Sequence, residues 1–249
     1  MPTTLERVVH ACVLLDFDGA KILTDPWFSE RVLYHQGEPR SVATAADLPR
    51  LDGIVISHAH YDHCDLGALA SYSDKNVPIV VNRGTGNKVR AKGWRNVTEL
   101  DPWQTTQVGP VQVTAAPASH GVPEVTYLLQ ADGTTVFFGA DTRRIPELNE
   151  IATRFPAIDL ALMPINGLSS RPQGNRQEVM DAAQAAELTG LLHPRLAVPI
   201  HYAYTAGAIG DRILVKLDRN RPDHYRDAAS DLAPDTEVRI LSTGQVLKL

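Results

Sequence analysis

Between Gly53 and Asp65 the chain reads GIVISHAHYDHCD, an apolar run followed by three histidines and two aspartates within the eight residues His58 to Asp65. Neutral imidazole and carboxylate are the donors that borderline divalent cations such as zinc take. If GIVIS is a strand, its end delivers His58 and His60 to one side, two residues apart. Asp62 and His63 then fall at the following turn and the start of a helix through CDLGAL. A polar turn after a buried strand would explain one such histidine but not H-x-H-x-D-H. Three later residues share the placement: His120 ends TAAPASH, Asp141 ends TVFFGAD and His201 ends LAVPIH. Each closes an apolar, β-like run, and strand ends are where open α/β sheets collect their sites. Singly, His120 reads as a loop histidine, Asp141 as a helix N-cap before TRRIPEL and His201 as a satisfied core residue. Together with the first cluster they read as a metal centre.

The elements that must position these residues begin with RVVHACVLLDF, read as one strand, and DGAKILT, joined in a hairpin through Asp18-Gly19. Turn signals at Gly109-Pro110 and Asp132-Gly133 divide WQTTQV, VQVTAAP, VTYLLQA and TTVFFGA into a meander of short strands. Helical patterns occupy DLGALASYSD, RIPELNEIATRF and QEVMDAAQAAELTG; the last has a capping box in Asp181 and Gln184 and a stop at Gly190. DLALMPI and RLAVPIH flank that helix as short apolar runs, the signature of strands buried on both faces and joined by a crossover helix. VRILS and QVLKL close the fold. Residues 28–49 read as a long loop with room for one short helix, and loops of that length are usually functional. The expected organisation is one domain over 1–249.

Composition excludes several function classes. A net charge of −5 supplies no basic field for nucleic acid. The two cysteines, Cys12 and Cys64, make no disulfide framework. MPTTLERVVH is not a signal peptide, and no apolar run reaches the ~18–20 residues that span a bilayer. The expectation is a soluble cytoplasmic protein acting on a small molecule, with no nucleic-acid or membrane partner, and with homo-oligomerisation left open.

The order SHAHYDH, PASHG, GADT and PIHY resembles the metallo-β-lactamase superfamily over nearly the whole chain. The resemblance implies an α/β fold, a four-layer αβ/βα sandwich of two mixed sheets flanked by helices. It also implies two divalent metal ions, zinc first, with manganese or iron compatible. One ion would be held by His58, His60 and His120, the second by Asp62, His63 and His201, with Asp141 bridging. HACVLLDFDGAKILTDPWFSER and Asp65 are similar to bacterial relatives of N-acyl-phosphatidylethanolamine phospholipase D, while MPINGLSSRPQGN and VPIHY resemble the ascorbate-6-phosphate lactonase-like members.

Two cations sharing a solvent molecule make hydroxide available near neutral pH. The expected reaction is therefore hydrolysis of a small ester, lactone or phosphodiester, with Asp62 orienting the nucleophile and passing a proton to the leaving group. No G-x-S-x-G elbow offers a serine nucleophile, and Ser57 and Ser119 read as turn residues. Asp25 and Asp65 are expected to hold ligand imidazoles through their free N–H groups. Asn166, Tyr202 and Arg171 are the candidate substrate contacts, Arg171 through its anion-matching fork. Trp27, Tyr61 and Tyr204 could wall the pocket, Arg143 and Arg144 read as an exposed helix start, and His10 and Cys64 read as packing residues. The rival readings are a mononuclear iron oxidoreductase similar to persulfide dioxygenases and a metal-binding module without catalysis. A flavodiiron protein would carry a carboxylate in place of His60, and a nuclease would need a basic arm.

Overall fold

The computed structural model describes residues 2–217 and 222–249. In chain order the principal strands are β1 (Thr4–Val9), β2 (Cys12–Phe17), β3 (Ala20–Thr24), β4 (Gly53–Ile56), β5 (Ile79–Asn82), β6 (Val97–Leu100) and β7 (Thr105–Val108). They continue as β8 (Val111–Pro117), β9 (Val125–Ala131), β10 (Thr134–Phe138), β11 (Leu160–Pro164), β12 (Leu196–Ile200), β13 (Glu237–Val238) and β14 (Val246–Lys248). Two seven-stranded sheets result, in the orders β14-β1-β2-β3-β4-β5-β6 and β13-β12-β11-β10-β9-β8-β7. Each is half antiparallel and half parallel: β3 to β6 run parallel in the first, and β10 to β13 in the second.

Alternation along the strands builds the layers. In β2, Val13, Leu15 and Phe17 enter the apolar layer between the sheets, while Cys12 and Leu14 face the outer layer. β11 does the same with Leu160 and Leu162 inward and Ala161 and Met163 outward. A strand buried on both faces carries no polar residue until it ends, which is why polar donors sit at strand termini. The outer layers hold α1 (Leu66–Leu69) and α2 (Gly86–Arg90) on the first sheet, and α3 (Asn149–Arg154), α4 (Ala182–Leu192) and α6 (Pro222–Leu232) on the second. A further helix, α5 (Gly207–Ile213), follows a two-residue strand, Tyr204–Thr205, that pairs with His35–Gln36. This is the four-layer αβ/βα sandwich expected from the sequence.

The meander and the β11-α4-β12 crossover stand as read, and VRILS and QVLKL close different sheets through β13 and β14. Three details differ. RVVHACVLLDF is not one strand: it folds back at His10-Ala11, with Val9 opposite Cys12. DLGALASYSD is helical only over Leu66–Leu69, because serines and aspartate past Ala70 compete for the backbone. Gly190 lies inside α4, which ends at Leu192 with His193 in the left-handed conformation (φ 46°). Gly190 is needed for contact rather than termination, since a Cβ there would run into the Leu232 carbonyl of α6. The Asp181–Gln184 capping box is present.

Candidate metal centre

All seven residues singled out from the strand ends converge. His58 follows β4 and forms an isolated bridge with Glu124 before β9, so the first histidine is anchored to the second sheet. His60 Nδ1 lies 3.1 Å from His58 Nε2 and 3.0 Å from His120 Nε2, a triangle of ring nitrogens facing one point. Asp62 Oδ2 lies 3.7 Å from His63 Nε2 and 4.0 Å from His201 Nε2. Between the two groups stands Asp141. Its Oδ1 is 2.8 Å from His201 Nε2, and its Oδ2 is 3.1 Å from His63 Nε2 and 3.8 Å from both His58 Nε2 and His120 Nε2.

The remaining ring nitrogens are held from behind. Asp25 Oδ2 accepts the His63 Nδ1–H at 2.6 Å, and the same carboxylate accepts both the N–H and the hydroxyl of Ser57 at 2.7 and 2.6 Å. His120 Nδ1 donates to the Glu178 carbonyl at 2.9 Å, and His58 Nδ1 sits 2.8 Å from Ser57 Oγ. These contacts leave Nε2 of His58, His63 and His120 directed inward, the arrangement of metal-ligating histidines.

Charge follows the same logic. Burial, then the neighbouring His63, pushes the His58 imidazole well below the usual range. Burial and His120 take His60 down to about 4, and burial lowers His120. His63 moves the other way: against burial, the carboxylates of Asp141, Asp62 and Asp25 raise it well above its usual value. Burial would raise both Asp141 and Asp62, yet His201 and His63 hold the first, and His63 and His10 the second, below the carboxylate range. The residues fit a metal. Nε2 of His63, both ring nitrogens of His201 and Asp141 Oδ1 are buried without a hydrogen-bond partner, despite their short approaches. Such orphaned polar atoms are costly unless something satisfies them. The donor set is nitrogen and oxygen throughout: the Cys64 thiol packs into the outer layer of the first sheet, where burial pushes it up to about 11.

A cavity of about 260 Å³ opens over His60, Asp62, His120, Asp141 and His201. A larger depression of about 460 Å³ shares only His120 and Gly121 with it, and another of about 660 Å³ shares no lining residue. Tyr34, Tyr204, Leu168 and Val215 supply its ring and aliphatic walls, with Ser170 and Gln173 as neutral polar groups. None of the described lining residues is Lys or Arg; Glu178, which also faces it, is matched by Arg176 at 2.7 Å and Arg143 at 3.9 Å.

Six expectations need correction. Asp65 holds no ligand imidazole: it caps α1 through Ala68 N–H and gathers the N–H groups of Phe28 and Ser29, anchoring the loop that follows β3. Arg171 is exposed, is not among the residues lining the cavity, and donates to the Val215 carbonyl along the edge where Ser169–Ser170 pairs with Val215–Lys216. Tyr202 lies under the buried Arg7 guanidinium, 4.5 Å from the ring centre, and Asn166 spends its Oδ1 on Leu168 N–H; both border a different depression. Arg143 is half-buried, bonded to Ser119, rather than an exposed helix start. Ser57 is not a bare turn residue either, since it links Asp25 to His58.

Sequence reasoning missed three groups. Tyr34 comes from a loop with no periodicity. Glu124 accepts the Asp141 N–H at 2.8 Å and lies 3.4 Å from His58 Nδ1, from a lone glutamate in VPEV that carries no pattern. His10, read as packing, lies with Asp62, His63 and His201 in one cluster of donor atoms. Its signal was available in a polar residue interrupting VV and AC.

Known proteins share this architecture. A family model described as the beta-lactamase superfamily domain matches residues 20–202. A metal-dependent hydrolase of Caldivirga maquilingensis is 28% identical over 252 residues, covering 98% of this chain and 97% of its own. Among solved structures, the metallo hydrolase Igni18 of Ignicoccus hospitalis superposes with a TM-score of 0.77 at 21% identity, covering 100% of this chain and 99% of that one. The diiron β-hydroxylase CmlA of Streptomyces venezuelae superposes at 0.76 and 22% identity, covering 100% of this chain and 54% of that one. The structural likenesses speak to fold; the matched family model, spanning β3 to β12 and all seven strand-end donors, speaks to descent. The chain belongs to the metallo-β-lactamase superfamily.

Proposed function

We propose that the chain is a dinuclear metal-dependent hydrolase that cleaves small, uncharged esters or lactones. The observation that carries the reading is the pair of donor groups with Asp141 between them: His58, His60 and His120 on one side, Asp62, His63 and His201 on the other. A mononuclear centre would leave one group of buried donors unmatched. Zinc suits the nitrogen and oxygen donors, as manganese or iron would. When bound, divalent cations supply an activated water and polarise the scissile oxygen.

The chain's own residues do the rest. Asp62 has two carboxylate oxygens, so one remains to orient the attacking water and to carry its proton to the leaving group. Tyr34 and Tyr204 narrow the cavity; burial raises both phenols, so each stays protonated near neutrality. The Tyr204 hydroxyl donates to the Leu33 carbonyl at 2.7 Å, which fixes the ring as a wall. With no Lys or Arg among the described lining residues, a phosphate or carboxylate carried away from the metal donors would lose hydration without a partner. An uncharged ester or lactone meets no such penalty, and about 260 Å³ suits a small one.

The test joins metal content to turnover of a panel of neutral lactones, neutral esters and phosphodiesters. The expected result is two zinc or manganese ions per chain, turnover fastest among the neutral substrates, and loss of metal and activity in His58→Ala. One iron per chain with oxygen consumption overturns hydrolysis, and full activity in His58→Ala overturns the site.

A further inference from the structure

The turn between β1 and β2 carries His10, which the resemblance does not assign to the centre. Its imidazole is fully buried, and neither ring nitrogen has a hydrogen-bond partner. Its Nε2 lies 3.6 Å from Asp62 Oδ2, beyond hydrogen-bond range but alongside the 3.7 Å of His63 Nε2 and the 4.0 Å of His201 Nε2 from the same oxygen. Two donors on one tetrahedral zinc, each about 2.1 Å from the ion, stand about 3.4 Å apart. His10 therefore stands to Asp62 as the other two histidines do.

The backbone is built to deliver this ring. His10 has φ 53°, a left-handed conformation that a side-chain-bearing residue resists and that glycine would adopt freely. Its N–H donates to Glu38 Oε1 at 2.9 Å, and Glu38 is in turn gripped by the buried Arg7 guanidinium. Its carbonyl accepts the His201 N–H at 3.4 Å, tying the turn to the strand end that supplies another donor. The ring packs 4.0 Å from the His201 ring centre and edge-on to Trp27 at 5.1 Å. A strained turn gripped on both sides, ending in an imidazole with no partner, points to a function for the side chain.

We propose that His10 is a ligand of the second metal ion, donating through Nε2 beside Asp62, His63 and His201. The inference rests on the dinuclear reading above. It adds a sixth histidine to the centre, counting His58, His60, His120, His63 and His201, and concentrates imidazole on the second ion.

The experiment uses metal-free protein reloaded with Co2+ and read without any substrate. Chelator competition measures the stoichiometry and affinity of both sites in wild type, His10→Gln and Trp27→Phe, the last disturbing the packing around His10 while keeping the donor. Proton NMR of the cobalt-loaded protein counts imidazole resonances shifted by the ion. The expected result is two ions per chain, six shifted imidazoles in wild type and five in His10→Gln, with at least 100-fold weaker binding of one ion. Trp27→Phe should keep all six. Five shifted imidazoles in wild type overturn the assignment whether or not the variants fold, as does unchanged affinity in His10→Gln. Wild type that takes one ion only defeats the dinuclear reading instead.

Discussion

Asp25 is the most informative residue to perturb, because one buried carboxylate serves three donors and none of them is a metal. Its Oδ1 accepts Ser57 N–H, and its Oδ2 accepts both Ser57 O–H and His63 Nδ1–H. Asp25→Asn cannot keep all three. With its oxygen toward Ser57 N–H, the new amide N–H faces His63 Nδ1. That nitrogen must then lose its proton, which moves to Nε2, the atom aimed at the metal. With the amide turned over, the His63 bond survives and the buried Ser57 N–H is opposed by a donor. Removing such an outer partner costs 10- to 100-fold in metal affinity, about 1.4–2.7 kcal/mol. Asn tolerates the left-handed backbone of residue 25 (φ 31°), so the loss falls on metal binding rather than on the turn. Asp25→Ala is worse for the fold: it leaves the Ser57 and His63 N–H groups buried without an acceptor, at about 2–6 kcal/mol together. Chelator competition should show the 10- to 100-fold loss in Asp25→Asn, and urea unfolding of metal-free protein should show the larger loss in Asp25→Ala. Wild-type affinity in Asp25→Asn would refute the argument that this carboxylate sets the His63 tautomer.

Metal removal should destabilise the chain, since the orphaned nitrogens of His63 and His201 regain no partner. Each ion at 100 times its dissociation constant contributes about 2.7 kcal/mol, or roughly 5–11 °C in Tm for a chain of this size, and calorimetry with and without chelator checks it. An unchanged Tm would mean that the donors are satisfied without a cation. Gly190→Ala, far from the site, should destabilise by about 1–3 kcal/mol as its methyl meets the Leu232 carbonyl, outweighing the gain of a better helix former. Denaturant midpoints decide this, and a stabilised variant would contradict the close contact of α4 with α6.

The seven strand-end donors were legible because burial imposes them. A strand covered on both faces tolerates polar side chains only where it stops, so an apolar run ending in His or Asp marks position as well as chemistry. β4 before His58, β10 before Asp141 and β12 before His201 all show this. His10 escaped the same logic because the turn bearing it spans only two residues between two apolar strands, so it read as a packed residue interrupting one strand. Of the cavity walls only Tyr204 was legible, and the rest were not for a different reason. Tyr202 adjoins His201 and Asn166 follows an apolar strand, but the direction of a side chain such as that of Arg171 depends on the pairing of two-residue strands, here Ser169–Ser170 with Val215–Lys216. Periodicity says nothing about strands so short. Asp65 failed as a ligand support because a residue starting a helix satisfies that helix first.

The backbone adds a constraint that neither composition nor pattern expresses. Apart from glycines, His10, Asp25, Ala140 and His201 adopt left-handed φ values of 53°, 31°, 49° and 59°. One precedes Asp141, one supports His63, one is a strand-end donor, and one bears the additional imidazole. Side chains other than Gly, Asn and Asp resist this conformation, so it persists only where surrounding bonds over-determine it. Those bonds are present: His10 is held by Glu38 and His201, and Asp25 N–H by the Val55 carbonyl. Four such residues around one cluster mean that the strands do not merely end near the centre. They turn sharply there, each turn aiming a donor or its support inward while the apolar layer behind stays closed. The sheets and the hydrogen bonds at their ends place Asp141 within 4 Å of four histidines.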